Sequence, residues 1–258
     1  MDGIIEIGLL RLATAYIFVL ILLALAHYKK VGHKGQIILA TVRMTLQLIF
    51  VGYILTYIFN NPSPFIVLGI LIIMEGFAIF NIYGRVQTEI SIPLKKIIAF
   101  SMSTGTLISI LYFLLIVVNL EPWFKPQYFI PLSGMLIGNS MTGISLGVEG
   151  LVNGIKDKRE MIENALMLGA RPAAASKEIS NRAFYNAILP TINSMLGMGI
   201  VFLPGMMTGQ ILAGASPLVA IRYQIAIMMG ILGSVTLTVY LLVNFGSKSF
   251  FNERAQIK

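Results

Sequence analysis

The stretch AYIFVLILLALA, Ala15–Ala26, runs for about three helical turns without a charged residue. A surface helix of a soluble domain keeps one polar face, and this run has none, so all its sides need apolar neighbours. It is not alone. Of the 258 residues, 57% are apolar and only 12% are charged, about half the charged share of a soluble domain. Apolar segments recur at about 5–26, 37–59, 65–83, 97–119, 128–152, 191–213 and 219–243. Each is long enough to cross ~30 Å of hydrocarbon as a helix. Backbone polar groups must pair internally there, so helix is the predicted form of all seven. The sequence predicts an all-α, polytopic membrane protein in which residues 1–258 form a single transmembrane domain.

The first run imitates a secretory signal, with Arg11 ahead of it and Ala24–Ala26 placed like a cleavage site. However, Asp2 and Glu6 stand where a basic region is needed, and Lys29 and Lys30 follow at once. It is predicted to be a retained first span. The chain has no cysteine, which excludes disulfides, thiolate metal sites and cysteine nucleophiles.

The net charge of +8 could suggest nucleic acid, but its placement argues for topology and against a nucleic-acid partner. Lys29, Lys30 and Lys34 follow span 1, and Arg85, Lys95 and Lys96 follow span 3. Lys156, Lys158, Arg159, Arg171, Lys177 and Arg182 follow span 5, and Lys248, Arg254 and Lys258 form the tail. Fifteen of nineteen basic residues thus lie on one side, while the opposite loops hold only Lys125 and Arg222. The positive-inside rule predicts an outer N-terminus and a cytoplasmic C-terminus, in agreement with an odd number of spans. The outer connections, NNPSP at 60–64, LEPWFKPQ at 120–127 and GASPL at 214–218, are too short to build a binding domain. Trp123 and Tyr128 are placed as interface anchors.

One segment breaks the apolar pattern. Residues 156–182 hold ten of the thirty charged residues. Ile155, Ile162 and Leu166 share a helical face there. Gly169 suits the position after a helix end, and Pro172 suits the first turn of a second helix running to about Leu189. Pro190 is expected at the entry into span 6. The segment at about 155–190 reads as helix, tight corner, helix. Such a hairpin can simply connect two spans, or a small apolar corner flanked by charge can dock into a groove on a partner.

Glu163, Ala165 and Gly169 reproduce the E-x-A-x-x-x-G order of the coupling loop in ATP-binding-cassette (ABC) importer permeases, although Leu189-Pro190 follows later than that family's Leu-Pro. A closer similarity covers nearly the whole chain. RMTLQL at 43–48, GNSMTGISLGVEGL at 138–151, LMLGA at 166–170 and LPGMMTGQILAGASPLVAIRYQI at 203–225 resemble the FetB-type ABC permease family. Its bacterial members are associated with iron export, and plant relatives with aluminium tolerance. The resemblance implies a permease subunit in a bacterial plasma or inner membrane, working as two permeases with two cytoplasmic ATPase subunits. It implies coupling to the ATPase through Glu163, Ala165, Gly169, Ala170 and Arg171. No G-x-x-x-x-G-K-[ST] phosphate loop occurs in the sequence. ATP and Mg are therefore expected on the partner, and this chain is expected to bind no cofactor and to catalyse no reaction itself.

Polar residues inside spans are costly and mark helix contacts or a path. Glu75 lies mid-span, with Arg43 of span 2 as a candidate ion-pair partner. Gln47, Asn139, Ser140, Thr142, Met206, Met207 and Gln210 complete the candidate substrate path. The pairs Gly134/Gly138, Gly143/Gly147 and Gly150/Gly154 allow close helix approach. Pro204 and Gly205 are expected to kink or locally unwind span 6. The fourteen methionines are softer ligands than iron prefers and serve equally as adaptable packing. His27 and His33 are expected at the surface, and no His/Asp/Glu cluster has metal-ligand spacing. Two other readings remain open at this level, a gradient-driven carrier and a non-transporting scaffold. An intramembrane enzyme lacks its reactive constellation.

Overall fold

The computed structural model describes residues 6–30, 34–86 and 90–257; Asp2, His33 and Lys258 lie outside them. The protein is all-helical, with two compact units, Met1–Pro62 and Ser63–Lys258.

In the first unit α1 (Leu9–Ala15) and α2 (Ile17–Tyr28) meet at Tyr16, and α3 spans Lys34–Asn60. The Tyr16 hydroxyl shares a 2.6 Å hydrogen bond with Thr45 Oγ1 of α3. Ile58 is the single buried residue of α3.

The second unit holds α4 (Pro64–Arg85), α5 (Ile92–Tyr112, continued by a π-turn to Val117), α6 (Pro126–Asp157), α7 (Arg159–Met167), α8 (Pro172–Ala175), α9 (Lys177–Gly197), α10 (Gly205–Leu212) and α11 (Pro217–Ser249). Proline opens α4, α5, α6 and α11 in the first turn, where its missing N–H costs no helical bond. Ser91 caps α5, accepting from the Leu94 N–H at 3.4 Å.

α6 is the central helix. It buries fifteen of its thirty-two residues against α4, α5, α9 and α11. Its glycines permit this. A Cβ on Gly143 would lie 2.8 Å from Val235 Cγ1, and one on Gly154 2.5 Å from Ile179 Cγ2. Ser140, fully buried, shares a 2.9 Å hydrogen bond with Ser234 of α11.

Among the described residues six segments are helices long and apolar enough to cross a membrane: Leu9–Tyr28, α3, α4, α5 with its π-turn, α6 and α11. The expected seventh, 191–213, is not one helix. α9 continues from the charged segment straight through Pro190 to Gly197, so Pro190 does not mark an entry. The chain then leaves helical geometry until α10 starts at Gly205. The interruption expected at Pro204 and Gly205 is present, and it begins earlier, at Met198. Gly199 takes φ +84°, its N–H donates to Phe202 O at 2.9 Å, and Pro204 cannot rejoin the preceding helix because it lacks an N–H.

Candidate functional site

Two places in the second unit have the geometry of a working site: the charged elbow and the broken helix.

The elbow begins where α6 ends at Asp157. α7 closes with a full glycine cap. The Ala170 N–H donates to Ala165 O and the Gly169 N–H to Leu166 O, both at 3.0 Å, with Gly169 at φ +89°. This is the Schellman arrangement, which needs a left-handed residue. Arg171 is extended, as a residue before proline tends to be, and Pro172 opens α8. The second helix predicted from Pro172 is therefore two, because the chain bends again at Ser176 before α9.

Ile162 is fully buried and packs with Ile155, Ile179 and Phe251 beneath the elbow. Phe251 belongs to the C-terminal tail, a contact no sequence pattern announced. The tail folds into a small turn around Asn252, whose Oδ1 accepts the Arg254 and Gln256 N–H groups at 2.9 Å. Between tail and α7 lies a groove of about 490 Å³ lined by Glu163, Leu166, Met167 and Ala170 with Arg254 and Ile257. Met167 and Leu168 at the corner are 79% and 89% exposed. Glu163 accepts from Arg159 Nε at 2.8 Å, and Lys158 Nζ donates to Glu178 at 2.7 Å. The bond from Lys158, then its charge, holds the Glu178 carboxyl below the usual range. Of the five predicted docking residues, Glu163 and Ala170 share the groove, Ala165 and Gly169 form the cap, and Arg171 starts the next turn.

The broken helix borders a cavity of about 370 Å³. Irregular backbone at membrane depth is tolerated where it is buried in protein or lines a cavity, and Met198, Phe202, Pro204 and Gly205 of the break do line this one. Of the nine predicted path residues, it gathers Asn139, Thr142 and Met206. Asn139 Nδ2 donates to Met135 O at 2.8 Å.

The other path residues lie elsewhere. Ser140 is held in the α6–α11 contact. Met207 is buried and Gln210 is half-buried, its Oε1 unpaired among the described residues, and neither lines the cavity. Glu75 lies in a separate groove of about 370 Å³ between α4 and α5, with Ser103 and Thr106. Thr106 Oγ1 is 3.1 Å from Glu75 Oε1 and 2.7 Å from Met102 O, so its single proton is shared between competing acceptors. Arg43 and Gln47 belong to α3 of the first unit.

Sequence reasoning missed Gln224, Met198, Thr191 and Ser194, all on the cavity wall. Gln224 had a signal, being a polar residue within the apolar run of α11. Met198 had none, because its role follows from the break.

No solved structure matches the chain. Curated relatives do. The UPF0014 membrane protein slr1647 of Synechocystis is 37% identical over 235 residues, 91% of this chain and 90% of its own length. Protein ALUMINUM SENSITIVE 3 of Arabidopsis thaliana is 34% identical, covering 97% of this chain and 90% of its own. The Escherichia coli protein named "Probable iron export permease protein FetB" is 30% identical, covering 95% and 93%. Residues 9–251 match the profile of the family described as "Uncharacterised protein family (UPF0014)". This multi-pass membrane protein belongs to the UPF0014 family.

Proposed function

We propose that the protein is the membrane permease subunit of an ABC transporter, exporting iron or another metal species with energy from a separate cytoplasmic ATPase. The observation that carries this reading is the elbow: a capped, sharply turned corner with exposed Met167 and Leu168, flanked by charge and rooted on α6 and α9 through Ile162 and Ile179. A rigid corner with an apolar tip suits insertion into a partner's groove. Its stems run on into α6 and α9, which pack against each other, so displacement of the corner reaches the broken-helix cavity through them. The iron export named for the E. coli relative supports the substrate class.

On this reading the chain acts as one permease domain, crosses the membrane seven times with α9–α10 as one interrupted crossing, and keeps its N-terminus outside and its elbow and tail in the cytoplasm. Two copies work with two ATPases, which hold ATP and Mg and perform the hydrolysis. Glu163, Ala165, Gly169, Ala170 and Arg171 form the coupling surface.

The test measures ATP turnover of the partner ATPase in lipid discs, alone, with this protein, and with its Glu163→Lys/Gly169→Trp variant. Turnover is expected to change with the native protein, and the inserted variant to lose that change. Turnover indifferent to the native protein sinks the reading, and gradient-driven flux dependent on Glu75 becomes the next experiment.

A further inference from the structure

The fourteen methionines are not evenly used. Four of them, Met135, Met198, Met206 and Met228, line the single cavity at the α9–α10 break. An even spread would place about one among its seventeen wall residues. The remaining polar groups on that wall are neutral: Asn139, Thr142, Thr191, Ser194 and Gln224. Among the described residues no carboxylate, imidazole or basic side chain lines it.

Gln224 is the most telling of these. It is 7% exposed, its Nε2 donates to Met198 Sδ at 3.7 Å, and its Oε1 has no hydrogen-bond partner among the described residues. Leaving a buried amide oxygen orphaned is costly unless something satisfies it.

We propose that this cavity binds a soft, singly charged cation of the Cu(I) or Ag(I) type, through the methionine thioethers with the Gln224 amide as an oxygen donor. Thioethers select soft monovalent ions. The alternative, a bare hard cation, fails on charge. The desolvation cost of an ion grows with the square of its charge, about ninefold from one to three, and only anionic ligands offset it. Among the described residues no group of three His, Cys, Asp or Glu side chains is placed to hold a metal ion. Both helix ends at the break border the cavity, Met198 closing α9 and Gly205 opening α10. Their opposite end charges oppose each other, so the side chains decide. As a substrate site it rests on the permease reading; as a binding site it is independent of it.

The experiment titrates silver nitrate into the purified full-length protein in chloride-free detergent buffer, with no ATPase present. Three proteins are compared: native, the cavity variant Met135→Leu/Met198→Leu/Met206→Leu/Met228→Leu, and the control Met44→Leu/Met161→Leu/Met229→Leu, whose residues are exposed. Leucine is close to methionine in volume, so the cavity variant retains its packing. The native protein and the control are expected to show one saturable site. The cavity variant should weaken it at least about a hundredfold, and Gln224→Leu about tenfold. Ferric and aluminium ions in excess should not compete. Equal binding by native and cavity variants, absence of a saturable site, or displacement by the hard ions overturns the assignment. Silver binding together with an indifferent ATPase would instead remove the permease reading and leave the site standing.

Discussion

α3 and α6 are both long enough to cross a membrane, and they are used in opposite ways. α3 is the more apolar of the two, yet only Ile58 is buried. α6 carries Asn139, Ser140, Thr142, Ser145 and a series of glycines, and half its length is enclosed. In water the greasier helix would go inside. In lipid that drive is absent, and small and hydrogen-bonding residues decide which helices pack together. The buried helix is the one whose surface lets neighbours come close.

The largest expected effect tests this directly. Gly143→Leu drives a side chain into Val235, Val239 and the Ala187 carbonyl. Overpacking there should cost roughly 3 kcal/mol, at the upper end of its range, read as lost thermal stability in detergent. Gly52→Leu on α3 meets open space and should leave the melting curve nearly unchanged. Equal losses at the two glycines would break the comparison.

Alanine at open glycines sharpens it by separating space from backbone. Neither Gly52 nor Gly169 has a neighbour within 4 Å of an added Cβ. Gly52→Ala lies inside a helix and should gain up to about 1 kcal/mol. Gly169→Ala is strained at φ +89° and should lose about as much. Its loss should appear in hydrogen exchange of α7 ahead of that of α6.

A smaller effect belongs to the α6–α11 hydrogen bond. A double-mutant cycle of Ser140→Ala and Ser234→Ala should return a coupling near 0.6 kcal/mol, the usual value inside a membrane bundle. A coupling of zero would leave glycine packing as the whole basis of the contact.

The smallest effect lies at the C-terminal end of α6, where Lys158 meets the exposed Glu178. The folded-state carboxyl is held below its unfolded value. Its contribution is therefore complete above the ordinary carboxylate pKa of about 4.3 and is lost as pH falls through the depressed folded value. Glu178→Gln should flatten that acid limb slightly, and salt should mute the difference. An undiminished limb in the variant would assign the acid sensitivity elsewhere.

Much of this was legible in the sequence. Run length identified six long apolar helices, because hydrocarbon imposes a minimum length and forbids unpaired backbone, and it misjudged 191–213, which is interrupted. Gly169 and Pro172 announced the elbow, because a left-handed cap and a fixed φ are properties of single residues. The Gly143/Gly147 and Gly150/Gly154 pairs announced close packing for the same local reason. The misses have a shared cause. Ser140 and Met206 look equally suited to a path, but Ser140 is committed to Ser234, 94 residues on in the chain, and Met206 lines a cavity walled by distant helices. Pro190 reads as a boundary and lies inside α9, because a helix held by its neighbours tolerates one missing N–H. The tail residue Phe251 gives no hint that it supports Ile162. Local rules depend on neighbours within a turn or two and are written in the sequence itself. Which polar residue faces a helix and which faces a cavity depends on rotation and contact between distant helices, and only the tertiary structure decided it.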